Sequence, residues 1–400
     1  MQAFTARERP DLMERAPTLA VTCPPRVTVC SLALVVAVAL PCLAGGAAAG
    51  EIRSPRAWEA FFGSVAAPAP AGATHAELFA GDRLVLSRPV AHGRVSFRLP
   101  LRPGSYDLRV RFERDGRLVR RDESRAVWLL PRSARAATRE RSRDPELSTA
   151  LRTLGRGFDG YAAFWVHDLV TGRTAAWNSD TSFPAASTVK LAVLIAALER
   201  FGPRPERTSA WRDIRDLATW SSNLASNRLL IRLGGSEAGG SRIAQRVLDR
   251  IGARSSTFTG NYRLGTAAAA DTPRPLPILT YRRTTAHDLG RILLELHAAA
   301  LGNGLSRRRT GLSRHEARIA LGLLLSSGGS GDNLGLLRSA FGPSVPMAQK
   351  QGWTESVRHT AAIVYGAGGP RIVVVLTYRA KIDPAGSLAL GSRLVRTLGQ

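Results

Sequence analysis

Residues 191–198, Leu-Ala-Val-Leu-Ile-Ala-Ala-Leu, are apolar on nearly every side over a stretch with helical character. A helix without a polar face is stable when other elements of a domain surround it, so we expect this helix to be buried. The four residues directly before it are Ser187, Thr188, Val189 and Lys190. A serine and a lysine therefore stand where the chain enters the protein interior.

Lysine is rare in this chain. Its three lysines are Lys190, Lys350 and Lys381, and arginine supplies the remainder of the 56 basic residues. An ammonium group is compact and can lose its proton when it is desolvated, whereas a guanidinium group keeps its charge. The use of lysine at positions 190 and 350 therefore indicates candidate catalytic groups.

Ser187 and Lys190 are three residues apart, a spacing that places both side chains on one face of a helix. A partly desolvated amine has a lowered pKa and can act as the base that a serine needs to attack a carbonyl carbon. Backbone N–H groups at a helix start can also stabilise an oxyanion. An isolated Ser-x-x-Lys occurs often by chance, and its alternative interpretation is a helix cap followed by a surface lysine.

Two further motifs follow in order, Ser221-Ser222-Asn223 and Lys350-Gln351-Gly352. With the first motif, this set resembles the penicillin-recognising serine enzymes, most closely the class A β-lactamases, over residues 145–400. The resemblance implies an α+β fold of the α/β class, in which an antiparallel sheet is flanked by helices and the site lies between the sheet and the helical part. It implies hydrolysis of a β-lactam or a related amide, with no metal or organic cofactor.

The same resemblance implies roles for the motif residues. Ser187 would be the nucleophile, Lys190 its base or proton relay, and Ser221 the donor of a proton to the leaving nitrogen. Lys350 would place positive charge near the substrate carboxylate. Asn223 would hold the amide side chain of the substrate.

Other substrate contacts are also implied by the resemblance. The backbone at Gly352 and Trp353 would face the substrate, and the N–H groups of Ser187 and Trp353 would form the oxyanion hole. Asn227, four residues after Asn223, matches a family asparagine that braces the loop with the deacylating acid. Arg358 is a further candidate for carboxylate binding, although a solvated arginine is the simpler interpretation.

The chain departs from the family pattern at three places. Ser222 replaces an aspartate, and Gln351 replaces a threonine or serine. The family glutamate that activates water for deacylation has no match, because Asp271 is the only acidic residue between Ile251 and His287. Asp271 is thus a possible deacylation base, and without such a base a β-lactam would remain attached to the enzyme.

The sequence outside the resemblance divides into three segments. Residues 1–50 contain the apolar run 27–44 and small residues 45–50, which predicts a secretory signal, or alternatively an uncleaved membrane anchor. Residues 51–131 alternate in polarity between turns and predict a small all-β, sandwich-like domain, and residues 132–144 predict a linker. All three cysteines precede residue 43, so an exported, processed chain would contain no thiol.

The net charge of +25 is spread along the chain and is not accompanied by a nucleic-acid-binding module. We therefore expect no nucleic-acid partner. A charge of this sign would attract anionic envelope polymers, which are candidate partners. We expect an exported monomer. Three functions remain: a β-lactam or related amide hydrolase, a D,D-peptidase that acts on peptidoglycan stem peptides and deacylates drugs slowly, or a non-catalytic wall-binding homologue.

Overall fold

The fold is described from a computed structural model, which covers residues 48–262, 282–328 and 335–399. These residues belong to one compact unit. Within these ranges, no helix is both long and apolar enough to span a bilayer. The predicted signal or anchor and the candidate base Asp271 lie outside the described residues.

Within the described ranges, the α-helices all lie C-terminal to residue 144. They are α1 (Pro145–Arg156), α2 (Lys190–Phe201), α3 (Trp211–Trp220), α4 (Asn223–Gly234), α5 (Glu237–Ile251), α6 (Ala286–Leu301), α7 (Gly304–Thr310), α8 (Arg314–Leu325), α9 (Arg338–Phe341) and α10 (Pro384–Thr397).

The strands fall into an N-terminal group and a C-terminal group. The first group is β1 (Ala48–Glu51), β2 (Ala60–Phe61), β3 (Ser64–Pro68), β4 (His75–Ala80), β5 (Arg83–Pro89), β6 (Arg94–Arg98), β7 (Gly104–Arg114) and β8 (Arg117–Leu129). The second is β9 (Ser142–Arg143), β10 (Tyr161–Asp168), β11 (Arg173–Trp177), β12 (Phe183–Pro184), β13 (Arg283–Thr284), β14 (Met347–Trp353), β15 (Val357–Gly366) and β16 (Gly369–Tyr378).

The N-terminal strands form the expected all-β arrangement. One sheet has the order β1-β8-β7-β4-β5 with β2 also on β8, and β3 pairs with β6. Asp115 and Gly116 both have positive φ, 49° and 74°, as the tight β7–β8 turn requires. Apolar side chains from both sheets, among them Phe97 and Phe112, form a core of their own.

The C-terminal sheet has the order β14-β15-β16-β10-β11-β9. Both faces of this sheet are buried, as strand β16 shows. Ile372 and Val374 pack on the side of the large helical core, whereas Val373 and Val375 pack on the side of α10. This alternation explains why the sequence of β16 is a continuous apolar run. The α/β architecture predicted for residues 145–400, a largely antiparallel sheet flanked by helices, is confirmed.

Helix α2 is buried as its sequence predicts. Nine of its twelve residues, from Lys190 to Leu198, are buried, and the helix packs against α3, α4, α5 and α8. The helix begins at Lys190, so Ser187 lies in the turn just before it and not within its first turn.

Segment 132–144, for which the sequence predicts a linker, lies along the C-terminal sheet. Its strand β9 pairs with β11, and Thr138 N donates to Leu169 O at 2.8 Å. Arg139 donates to both oxygens of the fully buried Glu295, at 2.8 and 3.1 Å. The first two contacts attach the segment to the C-terminal sheet, and the Arg139 bonds attach it to helix α6.

The N-terminal domain also contacts helix α8. Gly322 of α8 leaves no room for a side chain, because a Cβ there would overlap Trp58 O. His315 Nδ1 lies 2.6 Å from Oε1 of the buried Glu59, and Trp128 Nε1 donates to Ser326 Oγ at 2.9 Å. The two domains therefore share a close, partly polar contact.

Candidate active site

The turn that contains Ser187 is fixed from both sides. Strand β12 pairs with β13, and Ala185 N donates to Arg282 O at 3.0 Å. Thr188 Oγ1 donates back to Ala185 O at 2.6 Å, and Ala186 adopts a positive φ of 46°. Ser187 is half-buried, so its side chain sits at the boundary between the interior and the solvent.

A buried histidine that the sequence analysis missed supports this turn. His359 Nδ1 accepts from Thr377 N at 3.2 Å, so its proton is on Nε2, which donates to Pro184 O at 2.7 Å. Burial lowers the pKa of His359 to about 4, and the ring is neutral at neutral pH. Nothing in the sequence around it gives a signal, because His359 lies between the polar residues Arg358 and Thr360.

Lys190 is fully buried, and its amine points to the second motif. Nζ donates to Ser221 O at 2.5 Å and to Asn223 Oδ1 at 2.6 Å. Burial lowers the pKa of Lys190 well below its ordinary value, and the positive charges of Lys350 and Arg282 lower it further. In its neutral form an amine has two N–H bonds, which these two acceptors would satisfy, and one lone pair.

Ser221 connects the two buried lysines. It ends α3 in the left-handed conformation (φ 57°, ψ 29°), so its carbonyl reaches Lys190 while its Oγ accepts from Lys350 Nζ at 2.7 Å. Lys350 is fully buried as well and also donates to Gln351 O at 2.8 Å. Burial lowers the pKa of Lys350 to about 7, so its protonation changes near neutral pH.

Strand β14 brings the third motif against the nucleophile. A Cβ added to Gly352 would lie 2.9 Å from Ser187 N and 3.1 Å from Thr188 N. Such a close approach requires glycine, and it leaves the Ser187 N–H beside the strand edge, as an oxyanion hole needs. Trp353 follows, 49% exposed, with the guanidinium of Arg358 5.9 Å from its ring centroid.

The two residues that depart from the family pattern in the second and third motifs, Ser222 and Gln351, each make defined contacts in the fold. Ser222 is the N-cap of α4 and accepts from Ala225 N at 3.2 Å, so serine supplies the cap there. Gln351 is buried, and its Cβ faces Gly335. Residues 347–353, which contain the third motif, form the edge strand β14 paired with β15.

Asn227 clamps the backbone of a residue that the sequence analysis did not single out. Its Nδ2 donates to Tyr262 O at 2.5 Å, and its Oδ1 accepts from Tyr262 N at 2.8 Å. The centroid of the buried Tyr262 ring lies 4.3 Å from Lys190 Nζ. Tyr262 is thus in contact with the site although it belongs to none of the three motifs.

The structure therefore brings Ser187, Lys190, Ser221, Asn223, Lys350 and Gly352 together. Across the described ranges, no carboxylate forms an ion pair with Lys190 or Lys350. Within the same ranges, no cluster of three or more His, Cys, Asp or Glu residues could hold a metal ion.

Comparisons with known proteins agree with this geometry. A family model described as the beta-lactamase enzyme family matches residues 146–204 and 202–400. Among solved structures, that of PBP-A is similar with a TM-score of 0.51 and 18% identity, over 66% of this chain and 98% of that chain. An ancestral class A β-lactamase is similar with a TM-score of 0.50 and 20% identity, over 64% of this chain and 99% of that one.

A third solved structure is a mutant of PBP-A described as an acyl-enzyme complex with penicillin G, with a TM-score of 0.50 and 19% identity over 66% of this chain and 99% of that chain. At these identities the similarity establishes the fold. A search of curated proteins found none that matches the chain.

Proposed function

Because this chain belongs to the beta-lactamase enzyme family, we propose that it opens a β-lactam or a related amide through an acyl-Ser187 intermediate. The observation that carries the proposal is the hydrogen-bonded chain from Lys190 through Ser221 to Lys350, with the nucleophile one turn before Lys190. Two buried lysines with lowered pKa values are costly for stability, and a reaction that needs a neutral amine explains them.

The proposed acylation step assigns a role to each of these groups. Ser187 Oγ attacks the substrate carbonyl carbon while its proton passes to the lone pair of Lys190 Nζ. The carbonyl oxygen gains negative charge and accepts hydrogen bonds from backbone N–H groups at Ser187 and Trp353. One such donor contributes about 3 to 4 kcal/mol of transition-state stabilisation in well-studied hydrolases.

Collapse of the tetrahedral intermediate needs a proton on the leaving nitrogen. Ser221 Oγ can donate it and regain a proton from Lys350 Nζ, which lies 2.7 Å away. The C–N bond breaks, the nitrogen becomes an amine, and an ester remains on Ser187; in a β-lactam the amine stays attached to the acyl group through the opened ring. In this proposal the protonated form of Lys350 also provides charge for a substrate carboxylate, and Asn223, at the start of α4, binds the substrate amide.

A D,D-peptidase of peptidoglycan is the second candidate. Two observations favour it. The Tyr262 ring contacts the amine of Lys190, and among the described residues no carboxylate pairs with Lys190 or Lys350. A peptidase of this kind releases its natural acyl group but retains a β-lactam. The PBP-A mutant acyl-enzyme shows that a protein of this fold can be trapped with penicillin G.

Export of the chain and attraction of its +25 charge to anionic envelope polymers remain part of the proposal. An exported protein would meet both peptidoglycan stem peptides and any β-lactam that enters the envelope. The N-terminal domain contacts α8 through buried Glu59 and so would travel with the catalytic domain as one body.

The test is a comparison of two reactions of the purified protein. Loss of intact β-lactam, followed by absorbance, measures hydrolysis, and release of D-alanine from a stem pentapeptide measures the peptidase reaction. We expect at least one reaction in the natural chain and neither in Ser187→Ala. If both are absent from the natural chain at high enzyme concentration, the non-catalytic wall-binding interpretation replaces the proposal.

A further inference from the structure

Tyr262 covers the amine of Lys190. The ring is buried, and its centroid lies 4.3 Å from Nζ, which is direct contact with no space for a water molecule between them. Nζ has its two polar partners on another side, Ser221 O and Asn223 Oδ1. The aromatic ring therefore closes one approach by which water could reach this amine.

The Tyr262 ring has a second cationic neighbour, and its backbone is hydrogen-bonded. The guanidinium carbon of Arg282 lies 4.0 Å from the Tyr262 ring centroid, and Arg282 donates to Asn261 O at 2.8 Å. Asn227 clamps the Tyr262 amide and carbonyl with bonds of 2.8 and 2.5 Å. A side chain fixed at so many points cannot move aside without breaking several contacts.

We propose that Tyr262 is a positioning residue that shields the Lys190 amine from water, which favours acylation of Ser187 and makes the acyl-enzyme long-lived. The consequence for acyl lifetime rests on the function proposed above. Hydrolysis of the ester requires a water molecule whose proton passes to a base while Ser187 Oγ regains a proton. A ring in contact with Lys190 prevents that amine from holding such a water molecule on this side.

The groups around Lys190 determine in which direction removal of the Tyr262 ring changes the pKa of Lys190. Burial disfavours the charged amine, and the positive charges of Lys350 and Arg282 act in the same direction. The face of the Tyr262 ring attracts a cation and opposes them, but by less than burial. Removal of the ring admits water, so the amine of Lys190 should become easier to protonate.

The three lysines of the chain allow a direct measurement. Protein labelled with ¹³C at lysine Cε gives three signals, which Lys381→Arg and Lys350→Arg assign. Lys381 is exposed and serves as the internal reference. Titration of the full chain then gives the pKa of Lys190 without any substrate.

Tyr262→Ala should raise the pKa of Lys190 by about one unit or more, while Tyr262→Phe, the matched control, leaves it within error. The phenol hydroxyl has no hydrogen-bond partner among the described residues, so the control removes little else. If Tyr262→Ala does not fold, Tyr262→Gln provides a polar side chain of similar reach with the same expected direction. An unchanged Lys190 pKa in a folded variant overturns the proposal.

Acyl lifetime is followed in parallel by intact mass after reaction with benzylpenicillin. We expect the adduct to decay at least about tenfold faster in Tyr262→Ala than in Tyr262→Phe. Equal lifetimes overturn the proposal even if the pKa changes. If the natural chain forms no adduct but its Lys190 pKa responds as stated, the shield stands and the proposed function fails.

Discussion

Replacement of Gly352 by alanine tests the contact between β14 and the nucleophile turn. The new Cβ would lie 2.9 Å from Ser187 N, 3.0 Å from Ala186 Cβ and 3.1 Å from Thr188 N, whereas ordinary contacts begin near 3.4 Å. Strand and turn must therefore separate by about 0.5 Å, and the methyl group covers the Ser187 N–H.

The expected result is a lower acylation rate with modest loss of stability. Loss of one oxyanion donor costs about 100- to 1000-fold in rate, and a 1 Å misplacement about 100-fold, so a partial displacement should cost about 10- to 100-fold. Overpacking of this size costs about 1 to 3 kcal/mol of unfolding free energy.

The assay is the second-order rate of acylation by a fluorescent penicillin, with urea unfolding as the stability measurement. Gly304→Ala is the matched control, because a Cβ there meets no atom within 4 Å. Acylation of Gly352→Ala at the rate of the natural chain would refute the placement of β14 against Ser187.

Three further predictions concern charge and burial. The pKa of His359 is about 4 in the folded chain against an ordinary 6.5, so the unfolded chain binds the proton first and the free energy of unfolding should decrease as pH falls from 6.5 toward 4. Urea unfolding at pH 7.5 and 4.5 should show a smaller decrease in His359→Gln than in the natural chain. Arg139→Met should lower the free energy of unfolding by about 1 to 3 kcal/mol, because buried Glu295 loses two hydrogen bonds, whereas Arg141→Met, at an exposed position, should lower it by less than about 0.5 kcal/mol. Equal decreases in urea unfolding would contradict this. The pKa of Lys350 is about 7 in the folded chain against an ordinary 10.5, so the loss of folding stability caused by burying this amine decreases as pH rises from 7 to 10.5. Lys350→Met should therefore raise Tm more at pH 6 than at pH 10, and a larger increase at pH 10 would contradict the lowered pKa.

The sequence predicts best those elements whose own residues determine them. Helix α2 lacks a polar face, and β16 is a continuous run of branched apolar residues, so both carry their burial in their composition. The predicted burial of α2 was confirmed because neighbouring residues alone decide it.

The features that were missed depend on distant contacts. The sequence of β14, Met-Ala-Gln-Lys-Gln-Gly-Trp, has no β-branched residue, and it is a strand because β15 pairs with it. Tyr262 contacts Lys190 across 72 positions of sequence, and nothing near Tyr262 indicates that partner. Prediction of such contacts requires the assembled core and not the residue pattern.

The most direct test of the central claim is the intact mass of the purified protein after mixing with benzylpenicillin, followed over time and by peptide mapping. Opening of the β-lactam ring loses no atoms, so the account predicts an increase equal to the whole drug, on the peptide containing Ser187, that persists for many minutes. The Ser187→Ala variant should show no increase. An adduct that persists in this variant, or a natural chain that leaves both its own mass and the drug unchanged, would contradict the account.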